Sequence, residues 1–248
     1  MIDGGGILGA PLLFAVELTI LYAAGTYVMG HLAGFSGLGG GGSALGRMAF
    51  YLLVFPGVVL HEGAHYLACV LTGTKVTRFA PFSPGRSKDG RLLLGYVSHE
   101  RRVFPVVAII GLAPILLNPL GLLLVTALLT PLTLQEVAEP SAGVVVEGLF
   151  VSGFLTDTPL LAMIWAYLSL SFALGSVPSR EDLSSLPLLL AVFGVGLFSI
   201  SLLRTGSERD LFPAIYDLAA LAAGLYALPA IVAIVAALTT ELAGRALR

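Results

Sequence analysis

The sequence predicts an all-α polytopic membrane protein of about six transmembrane helices, with a cytoplasmic β-hairpin inserted between helices 2 and 3. Three observations carry that prediction. Of 248 residues, 57% are hydrophobic and only 11% are charged, with mean hydropathy +0.96. A soluble domain is about 25% charged, so this chain lacks the polar side chains to cover a water-facing surface. Apolar runs of membrane-spanning length recur along the chain. Basic residues gather in one connecting link and acidic residues in the next.

A spanning helix needs roughly 20 apolar residues. Six segments read as spans: about 7–29, 46–72, 104–131, 159–175, 187–203 and 212–238. The first follows MIDGGGILG, which lacks the positive n-region of a secretory signal, so it is expected to stay as a helix. GFSGLGGGGSALG, Gly34 to Gly46, joins the first two. It lacks the Gly-Lys-Ser/Thr ending of a phosphate cradle and precedes a span, so it reads as a flexible connector. After the second span, KVTRFAPF and RLLLGYVS are β-prone runs separated by SPGRSKDG, which is dense in turn residues. That pattern predicts a hairpin.

The hairpin link holds Lys75, Arg78, Arg86, Lys88, Arg91, Arg101 and Arg102 of the chain's 13 basic residues. The link Leu132–Asp157 has none and carries Glu136, Glu139, Glu147 and Asp157. The positive-inside rule places the hairpin in the cytoplasm, the acidic link outside and, by alternation, both termini inside. Arg245 and Arg248 agree with this topology, whereas Arg204 and Arg209 disagree. The chain reads as one membrane domain, residues 1–248. Its single cysteine, Cys69, excludes an intrachain disulfide. A net charge of −2 without a basic run gives no nucleic-acid arm.

Within the second span lies VVLHEGAHYLACVLTG, Val58 to Gly73. Two imidazoles and a carboxylate are costly in hydrocarbon, and ionisable residues there mark functional sites. His61-Glu62-Gly63-Ala64-His65 is H-E-x-x-H. Residues four apart on a helix lie about one turn above each other, so both imidazoles can reach one Zn²⁺ at about 2.0–2.1 Å. Glu62, off the ligand line, can act as general base. The competing reading is a pair of core histidines bonded to neighbouring helices. Cys69 lies about 12 Å along the axis from His61, too far to share one ion, and reads as a small core residue.

A catalytic zinc site needs three protein ligands and an open position. Candidates for the third are Glu17, His31, His99, Asp157, Asp217 and the cluster SVPSREDL, Ser176 to Leu183. Asp157 in TDTP also reads as a helix N-cap ahead of Pro159. Ser179-Arg180-Glu181-Asp182 fits a capping box opening the fifth helix. Against simple capping, the flanking spans have only 17 residues each, so the turn between them can lie below the membrane surface. Polar backbone at that depth belongs to a cavity or to protein interior.

HEGAH within an apolar helix, a hairpin-like insert, IIGLAPILLNPLG and a distal aspartate together resemble the site-2 protease family of intramembrane zinc metalloproteases. The resemblance covers roughly residues 46–185. Gly111, Pro114 and Asn118 resemble the family's third-span Gly-Pro-x-x-Asn pattern with looser spacing. PSRED resembles the Pro-Ser-x-x-Asp element of divergent, mainly prokaryotic zincin-like relatives and implies Asp182 as the third ligand. No Asn-Pro-x-Asp-Gly or Leu-Asp-Gly motif occurs. Asn118 either kinks its helix with Pro119 and acts as interhelical glue, or donates to the oxyanion of the reaction.

The expected function is zinc-dependent cleavage of peptide bonds within or beside membrane-spanning substrates. The expected location is a prokaryotic cell membrane, with the site towards the cytoplasm. The hairpin would receive the substrate as an added strand, with Leu92 and Leu94 among the residues that bind it. Two other functions fit the same residues: a catalytically silent metal-binding membrane scaffold or sensor, and a zinc hydrolase acting on a lipid-like substrate.

Overall fold

The computed structural model describes residues 9–35, 44–86, 92–133, 148–149, 152–177, 179, 182–185 and 226–242. The chain is mostly helical. Helices α1 (Gly9–Phe35), α2 (Ala44–Leu71) and α3 (Val106–Leu129) are followed by the short α4 (Phe154–Asp157), α5 (Pro159–Gly175), a 3₁₀ turn at Asp182–Ser185 and α6 (Tyr226–Leu242).

Helices α2, α3 and α5 pack against one another in all three pairs. Glycines make the α2–α5 contact possible. A Cβ built on Gly57 would lie 1.9 Å from the Ser171 carbonyl oxygen, and one on Gly175 would lie 2.5 Å from the Gly57 carbonyl oxygen. Small residues let helix backbones approach this closely, and the Gly57 N–H donates to Ser171 Oγ at 2.8 Å. The outer faces are apolar. On α3, Leu116, Leu120, Leu124 and Leu128 recur every fourth residue and are all more than half exposed. A leucine stripe facing outward suits hydrocarbon better than water.

Among the described residues two helices, α2 and α3, are long and apolar enough to cross a membrane. Six spans are not supported there. The fourth predicted segment is α5, at 17 residues shorter than a bilayer-crossing helix usually needs. The last is described only over Tyr226–Leu242, and residues 187–203 lie outside the described residues.

Two prolines inside these helices have a consistent consequence. Proline has no N–H, so the carbonyl four residues earlier loses its helical partner. Pro56 leaves the Leu52 carbonyl, which accepts the Tyr167 hydroxyl of α5 at 2.7 Å. Pro119 leaves the Ile115 carbonyl, which accepts the Tyr226 hydroxyl of α6. Each open carbonyl becomes an interhelical tie.

The predicted insert between α2 and α3 is present. Strand β1 (Val76–Ala80) pairs antiparallel with β4 (Tyr96–His99), and β2 (Gly85–Arg86) with β3 (Leu92–Leu93). It does not stand clear of the helices, as a purely cytoplasmic hairpin would. Phe79 stacks on Tyr66 at 4.7 Å between centroids, and Phe82 meets Phe55 edge-on at 5.0 Å and Tyr51 at 6.2 Å. From Tyr66 back to Tyr51 is about 22 Å of helix at 1.5 Å per residue. The hairpin therefore folds back along α2, because its apolar aromatic residues find partners there.

Candidate metal centre

Helix α2 presents His61 and His65 from successive turns, with ring centroids 5.0 Å apart. Asp182, at the start of the 3₁₀ turn and buried, reaches both. Its Oδ1 lies 3.0 Å from His65 Nε2 and its Oδ2 lies 3.4 Å from His61 Nε2. The three residues offer ligand atoms within 4.8 Å of one another.

Both local readings of Asp182 hold at once. Its Oδ2 accepts the Ser179 N–H at 2.7 Å, and its own N–H donates to Ser179 Oγ at 3.1 Å, which closes the capping box. The box aims the carboxylate at the imidazoles. Gly111 of α3 lets the turn approach, since a Cβ there would lie 3.1 Å from the Asp182 carbonyl oxygen.

Each imidazole is held from behind. His61 Nδ1 donates to the Gly175 carbonyl at 2.8 Å, at the C-terminus of α5, and His65 Nδ1 donates to the Ile110 carbonyl of α3 at 2.8 Å. A carbonyl only accepts, so Nδ1 carries the hydrogen and a neutral ring presents a lone pair at Nε2. Those lone pairs face carboxylate oxygens, which also only accept. Two nitrogen donors and one carboxylate converging on one point, each imidazole oriented through its other nitrogen, fit a divalent metal of the zinc class.

Glu62 does not join this cluster. It lines a cleft of about 320 Å³ with the three ligand residues on one side and the hairpin on the other. Among the described residues its carboxylate makes no hydrogen bond or ion pair. Its stem packs on the hairpin backbone instead: a Cβ on Gly95 would lie 2.7 Å from Glu62 Cγ and 2.9 Å from the Pro81 carbonyl oxygen. Gly95 was not singled out from the sequence. A glycine inside a β-prone run is the signal for such a close approach.

The other predicted residues fall elsewhere. Leu92 and Leu94 pack towards the cluster of Val28, Phe50 and Val54, whereas Leu93, Gly95, Tyr96, Val97 and His99 line the cleft. Neighbours along an extended chain alternate between faces, which separates Leu93 from Leu92 and Leu94. Asn118 is fully buried and does not line the cleft. Its amide nitrogen lies 3.4 Å from the Pro114 carbonyl oxygen, its Oδ1 has no partner among the described residues, and it packs beside Gly175, whose carbonyl holds His61. His99 reaches the cleft with its Nδ1 bonded to the Glu100 carbonyl at 2.8 Å. Among the described residues Glu17, His31, Asp157 and Cys69 stay outside the cluster. Glu181 and Asp217 lie outside the described residues.

The fold and site thus define a helical chain with a His-His-Asp cluster and a neighbouring unpaired carboxylate in a hairpin-walled cleft. Comparison with known proteins returns no match to a family model, a curated protein or a solved structure.

Proposed function

We propose that this chain is a zinc-dependent intramembrane endopeptidase of the site-2 protease type. The observation that carries the reading is the position of Glu62, one residue from His61, unpaired, and between the metal-ligand cluster and a strand. His61, His65 and Asp182 would hold the ion. Zinc, when bound, polarises a carbonyl and makes water more acidic. Glu62 accepts a proton from a water in the cleft and returns it to the departing amine nitrogen. The cleft-facing side of the hairpin, Leu93 to His99, receives the substrate in extended form, since a helical peptide hides its bonds. The exposed apolar faces of α2 and α3 support a cleft within the bilayer, with further spans supplied by the remaining apolar segments. The seven basic residues of the hairpin link support a site towards the cytoplasmic side, and the resemblance to prokaryotic zincin-like proteins supports a prokaryotic membrane.

The test is incubation of the purified protein with membrane-spanning peptides, with zinc and with chelator. Cleavage with zinc, lost in chelator and in Glu62→Gln at unchanged zinc content, supports the proposal. Zinc binding without cleavage of any peptide would leave a metal-binding scaffold or a hydrolase of lipid-like substrates instead.

A further inference from the structure

The carbonyl that orients His65 belongs to Ile110, and the residue four positions later is Pro114. In an uninterrupted helix the N–H of residue 114 would occupy that carbonyl. Pro114 has no N–H, so the acceptor stands open, and His65 Nδ1 fills it at 2.8 Å. The same relation recurs at Pro56, Leu52 and Tyr167, and at Pro119, Ile115 and Tyr226. All three internal prolines of α2 and α3 thereby serve a side chain of another helix.

We infer that Pro114 is a positioning residue of the metal centre: by withholding an N–H it reserves the Ile110 carbonyl for His65 and keeps that imidazole's Nε2 turned to the metal. The inference rests on the metal reading of the His-His-Asp cluster. It is independent of proteolysis. Its signature is an inversion: Pro114→Ala gives α3 a better helix former with a restored backbone donor, yet weakens the metal site.

The experiment titrates purified wild type, Pro114→Ala and Pro119→Ala with zinc against a competing chelator dye, and records the thermal midpoint of each metal-free protein. Pro114→Ala is expected to lose about tenfold in zinc affinity, the lower end for removing an imidazole's outer hydrogen bond, because a carbonyl has a second lone pair to share. Its metal-free midpoint should be no lower than wild type. Pro119→Ala should bind zinc as wild type does, since the Ile115 carbonyl serves Tyr226. Wild-type affinity in Pro114→Ala overturns the inference. So does a lowered metal-free midpoint, which would make Pro114 a matter of helix shape. Nitrogen-15 spectra of histidine-labelled wild type provide a second readout, in which a His65 that carries its proton on Nε2 also overturns it. A wild-type protein that binds no zinc would remove the metal reading itself, while the His65 Nδ1–H signal would still report the tie to Ile110.

Discussion

The two walls of the cleft are held by different means. On the helical wall every side chain of the His-His-Asp cluster has a hydrogen bond that fixes its direction: His61 to Gly175, His65 to Ile110, Asp182 to Ser179. On the hairpin wall Glu62 has no such bond among the described residues, and its stem is positioned by contact with Gly95. Ligands need a fixed direction, because ion affinity falls when a donor turns away. A group that passes a proton between two positions is better located by packing, which leaves its oxygens free. Metal binding and turnover should therefore be separable by mutation.

The largest effect is expected on the helical wall. The His61→Ala, His65→Ala double variant should purify without zinc, as read by metal analysis, and unchanged zinc would dissolve the contrast at its root. Asp182→Asn should also lose most of its zinc and all turnover. If it keeps both, the aspartate is only a cap. On the hairpin wall, Gly95→Ala should lower peptide cleavage at least tenfold while zinc content stays normal. Combining it with Glu62→Ala should recover part of the thermal midpoint that Gly95→Ala lowers, because the colliding Cγ is gone while the contact with the Pro81 carbonyl stays; additive midpoints would show that the two residues are not coupled.

Within the strand, Leu93→Ala is expected to raise KM for a membrane peptide, and Leu94→Ala to cost about 1–2 kcal/mol of stability with KM unchanged. Reversed effects would return the substrate to the other face. Smallest of all, Ser179→Ala should cost about 1 kcal/mol, the value of a cap, and leave zinc in place.

The parts legible in the sequence are those set by local spacing. HEGAH fixes two imidazoles on one helical face, and PSRED carries both the capping box and the carboxylate. The hairpin follows from two β-prone runs around turn residues. What was not legible depends on the third dimension. The choice between Leu92 and Leu93 is a choice of strand face, and a one-residue change inverts it. Asn118 has the chemistry of an oxyanion donor, but only packing shows it beside Gly175 and outside the cleft. The hairpin's return along α2 depends on aromatic contacts between Phe79, Phe82 and a helix up to 31 positions earlier, beyond the reach of any local pattern.

That return has a consequence for hydration. The proposed hydrolysis would consume a water in each turnover, and a cleft set among apolar-faced helices in a bilayer would have no supply of its own. Non-helical backbone at membrane depth is stable only where protein or water satisfies it. Were α2 in the bilayer, strand groups of the hairpin left without a strand partner would require water along the flank of α2 and would carry it to the depth of His61. The same polar ribbon that would bind the substrate would keep the site wet.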